Sequence, residues 1–293
     1  MSVVPSRSWM FVPGNSNRYQ TKAAQSSADA VFLDLEDGVP PADKEAARGQ
    51  VAETLQWEEF KPRRFVRLNA VDTPWFDDDL AALSVVAPDG FCLPKVDVPE
   101  VVRSVSERIA KLEQDAGLAV GSIKLVPAIE SARSIINAPA IAAADDRVVG
   151  IMFGAEDYAL NLGLGTVRKR EASELTYARS AIVNAAAAAE VDSIDGVFPD
   201  LDDPDGMLAD IQRSRDLGFT GKSTFNPRQL DDINRLFNPQ PDELEYAQRV
   251  VAAFDEAQAR GDGSVAVGGQ LVDLPIVMRA QRLLEINDRL QEA

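Results

Sequence analysis

The chain has 293 residues, 45% hydrophobic and 26% charged, enough for one large buried core or two small ones. It carries 47 acidic against 30 basic residues, a formal net charge of −17, so nucleic acid and anionic membranes are excluded as natural partners. With no histidine, acid–base chemistry must fall to other groups, and a single cysteine, Cys92, rules out an intrachain disulfide.

No apolar run approaches the roughly 20 residues of a membrane helix. The N-terminal apolar stretch is broken by Pro13-Gly14, so a signal peptide is not expected and the cytoplasm is the expected compartment.

In chain order, "SWMFVPG" (8–14) reads as a strand and a helical pattern follows at 16–28. "AVFLDLED" (30–37) precedes a second helical stretch at 41–55. "RFVRLNA" (64–70) and "GFCLPKV" (90–96) come next, with Cys92 as a small core residue. "DVPE" at 97–100 has the pattern of a capping box, with Asp97 as N-cap of a helix over 98–115. "IKLVPAIES" (123–131) leads into a helix over 132–144 that Ser131 would cap. "VVGIMFGAED" (148–157), a helix over 173–190, "SIDGVFPD" (193–200), a helix over 204–217 and "GKSTFN" (221–226) complete the series.

Strands alternating with helices predict a parallel sheet. Eight such units over about 240 residues fit an α/β (β/α)₈ barrel, with a doubly wound open sheet as the competitor. After residue 238 the pattern changes to a long helix, a Gly-rich loop with short strand character and a last helix. The expected division is a barrel over 1–238 and a C-terminal extension over 239–293.

Chemistry in such a barrel belongs to the C-terminal ends of its strands. Those ends carry Asp34, Glu36 and Asp37, then Arg67 and Asn69, Lys95, Glu130, and Glu156 with Asp157. Carboxylates without histidine or usable thiol suit a hard cation such as Mg²⁺, which takes one or two protein carboxylates and leaves positions for water and substrate. Glu130 and Asp157, on adjacent strands, can reach one ion, and Arg67 can meet a carboxylate or a developing oxyanion. Asp34, Glu36 and Asp37 have a second reading, as ion-pair partners that hold Arg67 or Lys95 in place.

Two phosphate-loop patterns fail. In "GFTGKST" the first glycine of G-x-x-x-x-G-K-S/T falls on Asp216, and Asn226-Pro227 follows too soon for the required helix. "NLGLGT" does not complete G-x-G-x-x-G, because its last position is Arg168.

"RSWMFVPGNSNRYQTKA", "VFLDLEDGV", "VRLNA", "LPKV", "PAIES", "GAEDY" and "GFTGKSTFNP" occur in that order. The ordered set resembles the citrate lyase β-subunit-like acyl-CoA lyases over about residues 7–285. The resemblance implies a Mg²⁺-dependent (β/α)₈ barrel, a homotrimer, that cleaves a 3-hydroxy-carboxyacyl-CoA thioester to an acyl-CoA and a 2-oxo acid. It makes Glu130 and Asp157 the metal ligands and Arg67 the substrate-polarising arginine. Glu36 and Asp37 become partners of the metal-site water and of Arg67. Asp273, in "GGQLVDLPIVMRAQ", becomes the acid–base group of a lid that reaches a neighbouring subunit; from the sequence alone it reads as a helix N-cap. For CoA it points to Phe11, Lys22, Phe225, Asn226 and Pro227, with Arg18 as a further phosphate partner. Asn226 stands where many relatives have histidine, which bears on the acyl carrier. A malyl-CoA-type thioesterase, or a β subunit acting on a carrier-protein thioester, are the alternatives within this resemblance. A class II aldolase of the same barrel fits less well, since its histidine base has no counterpart.

Overall fold

The computed structural model describes residues 6–165 and 171–292; Arg168 lies outside them. Eight parallel strands close into a barrel in sequence order, which excludes the open sheet. They are β1 (Ser8–Pro13), β2 (Ala30–Asp34), β3 (Arg63–Arg67), β4 (Gly90–Leu93), β5 (Lys124–Ile129), β6 (Gly150–Phe153), β7 (Asp192–Asp195) and β8 (Gly221–Thr224). The barrel closes where Trp9 of β1 pairs with Ser223 of β8. The helices are α1 (Asn17–Ala24), α2 (Lys44–Thr54), α3 (Phe76–Ser84), α4 (Pro99–Asp115), α5 (Ala132–Ala142), α6 (Ala155–Asn161), α7 (Thr176–Ala188), α8 (Pro204–Leu217) and α9 (Leu230–Phe237).

Side chains alternate between the two faces of a strand. The inward set makes one core: Trp9 and Phe11, Ala30 and Phe32, Phe65, Cys92, Val126 and Ala128, Met152 and Ile194. Trp9 stacks on Phe32 at 4.9 Å and meets Phe65 edge-on at 5.0 Å. Gly90 is required beside this cluster, since a Cβ there would lie 2.5 Å from the Phe65 ring. Cys92 is fully buried as expected, and its burial pushes the thiol up out of reactive range.

The same period places the next inward position of each strand at the rim: Asp34 two residues after Phe32, Arg67 after Phe65, Glu130 after Ala128. Charged residues therefore appear where the apolar layers end.

The outward set holds a second charged cluster that the sequence reading does not contain. Lys222 Nζ meets Asp195 Oδ2 at 2.9 Å and Asp210 Oδ2 at 2.8 Å. Arg179 meets the same two aspartates at 2.9 Å each, and Ser214 donates to Asp195 at 2.5 Å. Two cations and two anions, all nearly fully buried, tie β7 and β8 to α7 and α8. Lys222, the lysine of the failed phosphate loop, is thus a structural cation.

The strands end earlier than the apolar segments suggest. β2 stops at Asp34 rather than 37, and β6 at Phe153 rather than 157. Beyond each end the chain leaves the ladder to build the rim. Asp97 does not cap α4; the N-cap is Val98, and the Asp97 carboxylate instead accepts a short hydrogen bond from Ser131 Oγ. Ser131 does cap α5, accepting from Ser134 N at 2.9 Å.

The chain divides into two compact units, Met1–Asn234 and Arg235–Ala293. In the second unit α10 (Pro241–Ala259) packs on α11 (Leu274–Glu292), with an antiparallel pair, β9 (Val265–Val267) and β10 (Gln270–Val272), between them in sequence. Val250, Phe254, Val267, Val272 and Val277 form its core. Among the described residues no helix is long and apolar enough to cross a membrane.

Candidate active site

Asp34 and Arg67 are register partners across β2 and β3. The Arg67 Nε and Nη2 each donate to one Asp34 oxygen at 2.7 Å, a bidentate pair. Asp34 also accepts from Glu36 N and Gly38 N, both at 2.9 Å. Burial works against its charge, but Arg67 and these amides hold its carboxyl below the ordinary range. Burial likewise opposes the Arg67 cation, and Asp34 and Glu36 overcome it, so the guanidinium stays charged. The guanidinium carbon lies over the Phe11 ring, 4.7 Å from the centroid.

Glu36 is buried in the turn after β2. Its Oε2 lies 3.2 Å from Arg67 Nη1, and its Oε1 accepts from Lys95 Nζ at 2.7 Å. Burial outweighs both cations and raises its carboxyl. The turn itself is held from behind: buried Lys44 donates to Leu35 O at 2.6 Å and Glu36 O at 2.7 Å. Asp37 is exposed, 3.9 Å from Lys95 Nζ. The ion-pair reading of Asp34 and Glu36 thus has direct geometry behind it, and it is compatible with a place in the site, because both fix the arginine. Asn69 is drawn away, its amide bound to buried Asp79 at 2.6 Å.

Glu130 follows β5 and is buried, 6% exposed. Its Oε1 accepts a short hydrogen bond from the Lys95 backbone N–H. Gly154 is indispensable beside it, since a Cβ would fall 2.2 Å from Glu130 Oε2. Burial, then the charges of Glu36 and Asp157, push the Glu130 carboxyl up to about 7. Asp157 and Glu156 do not sit at a strand end; they occupy the first turn of α6, for which Gly154 is the N-cap.

Several of these groups line one cavity of about 310 Å³. Asp34, Asp37, Arg67, Glu130 and Asp157 supply its charged side, and Phe11, Pro13, Met152, Val197 and Phe225 its apolar side. Phe11 is core-buried yet reaches the cavity, and packs on exposed Phe225 at 5.2 Å. Asn226 and Pro227 form the turn after β8, where the Asn226 side chain accepts from Arg228 N at 3.1 Å. Arg18 and Lys22 lie on α1 with their side chains exposed. Asp273 is exposed just ahead of α11, where its carbonyl accepts from Ile276 N and Val277 N at 3.1 Å.

The donor set fits a small hard cation. Glu130 is starved of solvent and crowded by negative neighbours, which a divalent ion would relieve. Among the described residues no three Asp, Glu, Cys or His side chains converge on one point, so two carboxylates with water or substrate completing the shell is the arrangement available. Asp34 and Lys95 figured in the sequence only as members of an ion pair; the contacts of Asp34 with two backbone amides and of the Lys95 amide with Glu130 had no signal there beyond their position at strand ends.

A family model described as HpcH/HpaI aldolase/citrate lyase matches residues 7–227. The citrate lyase subunit beta of Leuconostoc mesenteroides subsp. cremoris is 39% identical over 281 residues, 96% of this chain and 92% of that protein. The (3S)-malyl-CoA thioesterase of Cereibacter sphaeroides is 35% identical over 96% of this chain and 94% of its own length. Among solved structures, CitE from Mycobacterium tuberculosis in complex with magnesium, acetoacetate and coenzyme A aligns with a TM-score of 0.82 at 30% identity, covering 98% of this chain and 99% of that one.

Proposed function

The chain belongs to the HpcH/HpaI aldolase/citrate lyase family, and from that membership we propose that it is a Mg²⁺-dependent carbon–carbon lyase. Its substrate is a 3-hydroxy-carboxyacyl thioester of the malyl-, methylmalyl- or citramalyl-CoA type, cleaved to an acyl-CoA and a 2-oxo acid. The observation that carries this reading is the Asp34-clamped Arg67 in one cavity with Glu130 and Asp157. The magnesium, acetoacetate and coenzyme A of the mycobacterial neighbour support it.

Glu130 and Asp157 would hold the ion. Mg²⁺ held there would supply Lewis-acid chemistry to the substrate. Asp273, contributed by a neighbouring subunit of a cytoplasmic homotrimer, takes the hydroxyl proton. The electrons of the C–C bond move onto the thioester oxygen as the 2-oxo acid departs. Arg67 meets that charge; a guanidinium has five N–H donors, and Asp34 occupies two of them. The proton returns from Asp273 to the enolate carbon. Phe11, Phe225 and the 226–227 turn flank the thioester, with Arg18 and Lys22 for its phosphates.

The 35% identical thioesterase favours a second reading, in which water attacks the thioester carbonyl. One assay separates them: purified protein, Mg²⁺ and the three thioesters, with free thiol and 2-oxo acid quantified together. Oxo acid without free thiol is expected. Free thiol without oxo acid would replace the lyase with a hydrolase. Neither product would move the acyl group from CoA to a carrier protein, as a likeness to citrate lyase subunit beta allows.

A further inference from the structure

Lys95 adopts φ +54°, a left-handed conformation that residues with a Cβ rarely enter. It stands two residues past the end of β4. Cys92 points into the barrel, so strand alternation would send Lys95 to the outer face. Its side chain instead returns to the site, where Nζ donates to Glu36 Oε1 at 2.7 Å. Pro94 has no N–H, so the Lys95 amide is the first donor beyond the strand, and it goes to Glu130.

The angle φ is the rotation about N–Cα, and it sets the direction of the side chain relative to the amide. An ordinary helical or extended value would turn one against the other by roughly 110° or more. With the amide on Glu130, the side chain would then miss Glu36. The turn alone calls for glycine, which would serve Glu130 equally well. A long cation at this position is explained by Glu36, which Lys95 and Arg67 hold from opposite sides.

We propose that Lys95 is a positioning residue of the reaction: its ammonium holds Glu36, and through Glu36 the guanidinium of Arg67, while its amide pins Glu130. This rests on the lyase reading for its kinetic consequence only. Lys95 is also a cation beside three rim carboxylates, Glu36, Asp37 and Asp157. Removing its charge leaves the site more attractive to Mg²⁺ and less able to turn over, a combination that general damage does not produce.

The test compares the parent with K95M and K95G by Mg²⁺ titration calorimetry, thermal unfolding and thioester kinetics at pH 8. Both variants are expected to bind Mg²⁺ about 3–10-fold more tightly, the scale of a unit charge several ångströms from the ion. Both should lose about 10–100-fold in kcat with KM within about threefold, as expected for lost alignment of a charge-stabilising group. K95G should melt no lower than K95M, since glycine accepts the left-handed turn. Turnover within twofold of the parent would overturn the proposal, as would Mg²⁺ binding that is equal or weaker. A parent that cleaves none of the thioesters would sink the lyase reading alone; the Mg²⁺ comparison would still decide for or against Lys95. A parent that binds no Mg²⁺ overturns both.

Discussion

Asp34 and Arg67 meet fork to fork, with both N···O distances at 2.7 Å and both side chains buried at the barrel rim. An arginine so clamped cannot swing to follow a ligand; it presents one fixed donor face to the cavity. Asp34→Asn removes the charge and one of the two acceptors. It should lower kcat/KM about 100-fold through misplacement of Arg67. Breaking a buried pair on one side also costs about 3–5 kcal/mol of stability. Steady-state kinetics with urea unfolding checks both; near-parental activity would show that the arginine needs no clamp.

Glu130→Gln should raise the stability of the metal-free protein. The carboxyl titrates near 7 in the fold, above its ordinary 4.5. An acid with a raised folded pKa loses folding stability as pH climbs from the unfolded value to the folded one, and the loss is complete above about pH 7. Glutamine carries no such penalty and keeps an acceptor for the Lys95 amide. In EDTA at pH 8 the variant should gain about 1–3 kcal/mol. Added Mg²⁺ should raise the melting temperature of the parent and leave the variant unmoved. A variant less stable than the parent in EDTA would contradict the expectation.

Far from the site, Glu113 accepts from Arg147 Nη1 at 2.8 Å and Nη2 at 2.6 Å, and from Gly121 N and Ile123 N. Burial opposes its ionisation, but Arg147 and the two amides bring it down to about 2. With the folded pKa depressed, its contribution is present above about 4.5 and lost as pH falls toward 2. Glu113→Gln should therefore cost about 3–5 kcal/mol at pH 7, and the gap to the parent should narrow below about pH 4.5 and close only as pH falls through the folded value of about 2. Denaturant midpoints across that range measure it, and a gap that stays at its pH 7 size from about pH 4 down to about pH 2 would assign the cost to packing instead.

Asp273→Asn should keep Mg²⁺ affinity and lose about 100-fold or more in turnover, if the residue carries the proton. The proposed supply of Asp273 from a neighbouring subunit adds a sharper expectation. Arg67→Lys, which keeps the charge but not the fork, should be inactive for a different reason. Refolding the two variants together should restore part of the activity, because some mixed sites would hold an intact Arg67 and an intact Asp273. Failure of every mixing ratio would place both residues in the same chain's site.

The barrel was legible because eight apolar segments recur with helical stretches between them, and the rim because each segment ends in charge. Contacts that depend on chain geometry were not. "VVGIMFGAED" looks continuous, yet Gly154 starts a helix, so Asp157 reaches the cavity from a helical turn. Asp97 carries every mark of an N-cap, but Ser131, 34 residues on, claims its carboxylate. No propensity foretells a left-handed lysine at position 95. Asp195, Lys222, Arg179 and Asp210 are scattered over 44 positions of sequence and meet only once the barrel has closed.

That last cluster separates two tasks within the same short strands. In β7 and β8 the outward residues, Asp195 and Lys222, are locked into ion pairs, while Ile194 and Ser223 face inward and Val197 and Phe225 follow at the cavity. Neighbouring positions in the chain thus answer to different constraints, one to holding the wall upright and the other to fitting a ligand. Changes at 197 and 225 leave the ion pairs behind them untouched, whereas Ser223 is tied to that frame by its hydroxyl, which donates to Asp195 O at 2.9 Å. This side of the barrel is where a descendant protein would most easily reshape its cavity for a different ligand.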